Sequence, residues 1–129
     1  MAAVSMSMIL AVASGGAIGA VLRYVLSSAV ARWLGSGFPW GTLAVNVLGA
    51  FVMGMCIELF VRALPVTQEL RAFVVVGILG ALTTFSTFSL DTVFLAERGE
   101  WILAASYVVA SVVLSIGALV LAMWMFRAG

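Results

Sequence analysis

Thr83, Thr84, Phe85, Ser86, Thr87, Phe88 and Ser89 follow one another without interruption inside a run that carries no charge, Ala72 to Leu90. A hydroxyl donates one hydrogen bond and has two lone pairs to accept with. A phenyl ring has a negative face and a positive edge. Five hydroxyls and two rings at membrane depth suit a site or a pathway better than a lipid-facing helix. Ring edges turned inward meet an anion; rings that pack or face lipid are the plainer alternative. Gly77 and Gly80 lie just upstream. Two glycines followed by β-branched and hydroxyl residues make a poor continuous helix, because these side chains compete for backbone groups. A break here frees carbonyls and N–H groups in hydrocarbon, where irregular backbone persists only when buried in protein or lining a cavity. Freed carbonyls can hold a cation.

Other polar groups stand out against apolar surroundings. Asn46, in Trp40-Gly-Thr-Leu-Ala-Val-Asn-Val-Leu-Gly49, is the one amide side chain in any apolar run. Two readings stand open for it: a hydrogen bond between helices, or a donor aimed at an anion. Tyr107, Ser111 and Ser115 recur every four residues, one polar stripe on a helix. The stripe is either ordinary packing or a pathway wall. Gly15, Gly19 and Arg23 share a helix face in the same way. The glycines let another helix approach closely. Arg23 either reaches the interface or pairs with a carboxylate or with backbone carbonyls, the further alternative being a direct role in drawing anions.

These residues need elements to carry them, and composition says which. The chain of 129 residues is 65% hydrophobic and 9% charged, with no Lys and no His. That leaves no charged surface for a soluble domain. Its long uncharged runs are Met1 to Leu22, Trp33 to Ile57, Ala72 to Leu90 and Trp101 to Phe126. Crossing the hydrocarbon takes about 20 apolar residues, so four transmembrane helices account for nearly the whole chain. Residues 1–129 are expected to form one unit. The N-terminal run lacks the basic start of a signal peptide and reads as the first span. Pro39 fits the first turn of the second. A single cysteine, Cys56, excludes an internal disulfide. Without His or a Cys cluster, the usual zinc and iron ligands and Ser-His-Asp chemistry are absent. No nucleotide-binding loop or redox centre is visible, so no enzyme and no energy source is implied.

Charge bears on orientation. Four spans put Arg62, Arg71 and Arg127 on one side, and Arg32 and Arg98 on the other, joined by Arg23 if it reaches that interface. Cytoplasmic loops normally hold the excess of positive charge, and here the excess is close to zero. That balance fits insertion in both orientations, although counts this small also allow one orientation to win. Dual insertion permits an antiparallel homodimer with its two-fold axis in the membrane plane.

Together, Gly15-Gly-Ala-Ile-Gly-Ala-Val-Leu-Arg-Tyr24, Gly41-Thr-Leu-Ala-Val-Asn-Val-Leu-Gly49 and Gly80-Ala-Leu-Thr-Thr-Phe-Ser-Thr-Phe-Ser89 closely resemble the Fluc (CrcB) family of fluoride channels, with Tyr107 and Ser115 as a weaker fourth piece. The resemblance covers all four helices. It implies an all-α membrane protein whose third helix breaks mid-membrane, assembled as an antiparallel dual-topology homodimer with two fluoride pores. It implies passive fluoride efflux across the inner (plasma) membrane, with fluoride, lipid and a second copy as partners and no nucleic acid. It implies a structural sodium ion at the dimer interface, held by the Gly80 and Thr83 carbonyls. Phe85 and Phe88 would line the pores by their edges. Asn46, Tyr107 and Ser115 would supply polar contacts, with Ser86 and Thr87 in a polar track beside the rings. The chain departs from the family at Ala81, where a second glycine is common, and at Asp91, where Glu is common. The shorter carboxylate leaves the role of Asp91 open. The competing reading is a small multidrug-type proton-coupled exporter, which needs a membrane-embedded carboxylate. Glu58 and Asp91 lie at the ends of uncharged runs rather than within them. A non-transporting subunit is a third reading, opposed by the clustering of polar groups.

Overall fold

The computed structural model describes residues 3–62 and 64–128. Four helical segments among them are long and apolar enough to cross a membrane: Met6–Leu34, Trp40–Arg62, Gln68–Glu97 and Trp101–Arg127. The chain is a multi-pass membrane protein.

Helix α1 (Met6–Leu34) starts where the Ser5 hydroxyl accepts the Met8 N–H, 3.3 Å away. It stops at Gly35, whose φ of 87° is open to glycine at little cost. Pro39 then leads into α2 (Trp40–Arg62). The third span is assembled from pieces. Thr67 caps the short α3 (Gln68–Arg71), a π-helical stretch follows over Ala72–Leu79, and α4 covers only Gly80–Leu82. Thr83 and Thr84 are extended, with φ/ψ of −93°/153° and −151°/119°. Helix α5 (Phe85–Glu97) begins after them, and its start is capped by the Thr84 hydroxyl. A tight turn at Gly99, with φ of 78°, leads into α6 (Trp101–Ala128).

The helices do not stop where the uncharged runs stop. Helix α1 continues through Arg23 and Arg32, α5 through Asp91, and α6 through Arg127. A lone charge does not end a helix, so charge marked the spans but not their limits.

Close approach fixes the packing. Helix α1 lies along the π-helical stretch, and a Cβ on Gly15 or Gly19 would collide with the carbonyl oxygens of Phe73 and Ile78. Helix α2 lies mainly along α6. Two apolar clusters result. Val45, Cys56, Leu79 and Leu82 make one; Leu43, Leu95, Ala104 and Tyr107 make the other. The outer surface is apolar as well, with Trp33 90% and Ile102 83% exposed. Lipid or a protein partner must cover such a surface.

Candidate functional site

The extended pair Thr83-Thr84 is held by Asn46, reaching across from α2. Asn46 Nδ2 donates to the Thr84 carbonyl at 3.0 Å, and Asn46 Oδ1 accepts the Thr84 N–H at 2.7 Å. One amide thus satisfies both backbone groups of a residue that has left the helix. One N–H of Asn46 is left over for other use. On the facing side, a methyl group at Gly49 would collide with the Thr83 γ-methyl, so α2 lies hard against the extended pair.

The same bonds have a consequence for the carbonyls. In a continuous helix each carbonyl accepts the N–H four residues on. The Thr84 N–H, which would serve Gly80, goes to Asn46. The Thr87 N–H, which would serve Thr83, goes to the Thr84 hydroxyl at 3.1 Å. The carbonyls of Gly80 and Thr83 therefore both lose their helical donor. Oxygens of this kind are hard ligands, suited to an alkali or alkaline-earth cation. Arg23 Nε donates to the Ala81 carbonyl at 2.9 Å, so of its possible partners it takes a backbone oxygen beside the same segment.

Beside the extended pair lies a cavity of about 440 Å³ between α2, α5 and α6. Asn46, Thr83, Phe85, Phe88, Ser111 and Ser115 line it, and no charged side chain does. The Phe85 and Phe88 rings are 5.4 Å apart and tilted by 52°. Phe88 in turn lies 5.2 Å from Tyr107 at 49°. Neither pair stacks face to face, so edges as well as faces are presented. Phe85 is 78% exposed, while Phe88 is half-buried.

The structure thus gathers Asn46, Thr83, Phe85, Phe88 and Ser115 at one cavity. It sets Tyr107 one layer behind. Tyr107 is fully buried against Phe88, and its hydroxyl donates to Asp91 Oδ2 at 3.0 Å. That pairing gives Asp91 a partner that the sequence left open. Ser86 is exposed, with its hydroxyl 3.2 Å from that of Thr84, and Thr87 is half-buried; neither lines the cavity. Gly80 is exposed and also lies outside the cavity wall.

One residue was underweighted in the sequence. Ser111 lines the cavity, is buried, and its hydroxyl has no hydrogen-bond partner among the described residues. The four-residue stripe through Tyr107 and Ser115 already pointed to it, but the motif match did not.

Chemically, the cavity offers the spare Asn46 N–H and the Ser111 and Ser115 hydroxyls, with no carboxylate to repel an anion. Of the two carboxylates a proton-coupled exporter could draw on, Glu58 is engaged by Arg62 and Arg127, and Asp91 by the Tyr107 hydroxyl. Residues 10–123 match the family described as CrcB-like protein, Camphor Resistance (CrcB). The chain belongs to the CrcB family. A relative from Nitrobacter winogradskyi, named fluoride-specific ion channel FluC, is 54% identical over 87% of this chain and 89% of its own length. One of the same name from Magnetococcus marinus is 57% identical over 81% of this chain and 85% of its own. A third, from Rhodospirillum centenum, is 52% identical over 88% and 90%.

Proposed function

We propose that this CrcB-family chain is a fluoride-selective channel in the inner (plasma) membrane, which lets fluoride leave the cell passively and so lowers its cytoplasmic level. The observation that carries the reading is the uncharged, donor-lined cavity beside Thr83-Thr84. Fluoride is small and holds its water tightly, so a pore must replace that water with compact donors. Asn46, Ser111, Ser115 and the edges of Phe85 and Phe88 can do so without a fixed positive side chain that would trap the ion. Tyr107 supports Phe88 from behind and holds the Asp91 carboxylate.

The working unit is an antiparallel dual-topology homodimer, with the third helix interrupted at mid-membrane depth. Supporting this are the balanced arginines and the exposure of Phe85 and Gly80. Both sit beside freed backbone, which hydrocarbon does not tolerate uncovered. A second copy would cover it. The Gly80 and Thr83 carbonyls of both copies would then hold a structural sodium ion. Such an ion would raise the local positive potential for anions nearby. A Cys placed at the C-terminus on a Cys56→Ser background should be labelled from both sides of the membrane. Labelling from one side only refutes dual topology.

Efflux from liposomes containing only this protein tests the function. Fluoride should leave quickly while chloride stays. Equal loss of both ions would keep a channel but refute its selectivity; retention of both would refute the channel.

A further inference from the structure

The link between α1 and α2, Gly35-Ser-Gly-Phe-Pro39, carries one large side chain, Phe38. Phe38 is half-buried and packs on the cluster of Leu43, Leu95, Ala104 and Tyr107. Its ring lies 5.4 Å from that of Tyr107 and nearly perpendicular to it, at 87°. Taking the channel reading as its basis, we infer that Phe38 is a positioning residue: it braces the Tyr107 ring, which in turn sets the direction of the Phe88 edge, so that fluoride flux depends on a side chain in the α1–α2 link.

Tyr107 is fully buried, so its ring turns only if its neighbours allow it. Its hydroxyl is tied to Asp91 at 3.0 Å. That oxygen lies on the axis about which the ring rotates, and the rotation is intrinsically soft and two-fold. The bond to Asp91 therefore fixes the tip of the side chain but not the plane of the ring. The plane is left to the rings packed against it, which among the described residues are Phe38 and Phe88. Perpendicular contact sets the positive edge of one ring against the negative face of the other, a geometry that rings prefer. Phe88, 5.2 Å from Tyr107, lines the cavity beside Thr83-Thr84; Phe38 does not. Phe38 thus acts on the cavity through Tyr107, from outside its wall.

A brace must itself be held, and Phe38 is held on both sides along the chain. Pro39 fixes its own φ and biases Phe38 towards extended backbone. The Trp40 N–H donates to the Phe38 carbonyl at 2.8 Å, closing a tight turn over Pro39. One residue upstream, Arg98 Nη2 donates to the Gly37 carbonyl at 3.1 Å and pairs with the Glu100 carboxylate at 2.9 Å. The turn between α5 and α6 thus clasps the link between α1 and α2. The Trp40 ring adds a side-chain contact, 4.7 Å from Phe38 at 51°. A link of small residues would otherwise be loose; these contacts deliver one ring to one place.

Phe38 also lines a separate cavity of about 390 Å³ at the start of α2, so a loss of flux alone does not identify Tyr107 as its target. The rotation of the Tyr107 ring does. The chain has two tyrosines, Tyr24 and Tyr107, so Tyr24→Phe leaves one to observe. With its two ring ε-carbons isotopically labelled, a ring held in place gives two resonances and a ring that turns freely gives one. The parent should show two. Phe38→Leu keeps apolar bulk and removes the ring; it should merge the resonances and lower fluoride efflux per folded dimer about three- to tenfold, the worth of one edge-to-face pair. In unlabelled protein, Phe38→Tyr keeps the ring and should retain efflux within about twofold of the parent. Phe60→Leu removes a half-buried ring at the other end of α2 and should leave efflux within about twofold and the two resonances in place. If Phe38→Leu does not fold, Phe38→Met, which adapts to irregular space, replaces it. Merged resonances with unchanged efflux overturn the inference. Lost efflux with two separate resonances overturns it as well, since Phe38 would then act without Tyr107, and so does a single resonance in the parent. Absence of fluoride efflux in the unsubstituted chain would instead count against the channel itself.

Discussion

Two polar regions on α2 are treated in opposite ways. Near its end, Glu58 is buried but fully engaged. It accepts from Arg127 Nε at 3.1 Å and from Arg127 Nη2, and it lies 3.3 Å from Arg62 Nε. Arg62 also donates to the Arg127 carbonyl at 3.2 Å. Twelve residues earlier, about 18 Å along the helix, Asn46 stands at a place where partners run short. There the Ser111 hydroxyl is buried without a partner among the described residues, and the Gly80 and Thr83 carbonyls have lost their helical donors. A buried polar group left unpaired costs about 1–3 kcal/mol. Of these three only the Ser111 hydroxyl is buried; Gly80 is exposed and Thr83 half-buried, so their carbonyls are open to a partner from outside the chain. The Glu58 cluster fastens α2 to α6; the Asn46 region is left with donors and acceptors to spare.

The sharpest break in that contrast is Asn46→Ala. It strands both backbone groups of Thr84, at about 1–3 kcal/mol each, and removes a cavity donor. Thermal unfolding should show a large loss of stability and flux should vanish. Asn46→Asp keeps the acceptor for the Thr84 N–H but loses the donors and adds a negative charge. It should leave more folded dimer than Asn46→Ala, yet with flux down by more than about tenfold, since buried like charge repels the ion. Normal flux in Asn46→Asp would mean that Asn46 serves the backbone alone.

Gly49→Ala comes next. The added methyl meets the Thr83 γ-methyl, and overpacking of this kind costs about 1–3 kcal/mol. Thr83→Ser removes that γ-methyl and keeps the carbonyl, so the double variant should recover most of the loss. A coupling near zero in the double-mutant cycle would show that Thr83 does not sit where α2 presses on it.

At the fastened end the expected result is reversed. Glu58→Gln weakens two arginine contacts and should lower the melting temperature. Flux per folded dimer should remain within about twofold of the parent, because breaking a buried pair acts on stability. The smallest effect on stability belongs to Ser111→Ala. Deleting an unpaired buried hydroxyl should leave stability level or raise it by up to about 1 kcal/mol, while flux falls. A fall in stability would reveal a protein partner for that hydroxyl.

Residue types and local spacing made much of this legible. The four spans followed from the uncharged runs, and the hydroxyl cluster at 83–89 marked where the chain leaves the helix, at Thr83-Thr84. Gly15 and Gly19 on one face announced a close helix, though not that its partner would be π-helical. The rest depended on contacts distant in sequence. The backbone partner of Asn46 became visible only with Thr84, 38 residues away. Asp91 had none until Tyr107 reached it across α5 and α6. Ser111 looked like its neighbours in the stripe, and only burial without a partner set it apart. Periodicity finds the face of a helix, but not which group on another helix that face will meet.

The central claim is that an ion passes between the rings beside Thr83-Thr84. Fluoride efflux, normalised to folded dimer, in Phe85→Ile and Phe88→Ile tests it most directly. Isoleucine keeps apolar bulk and removes the positive ring edge. Phe88 packs on Tyr107, whereas Phe85 is 78% exposed, so simple packing would make only Phe88→Ile costly, and costly in stability alone. The ion path predicts strongly slowed fluoride efflux per folded dimer in both variants. Near-normal efflux in both would contradict it and leave Asn46 and the hydroxyls to carry the ion alone.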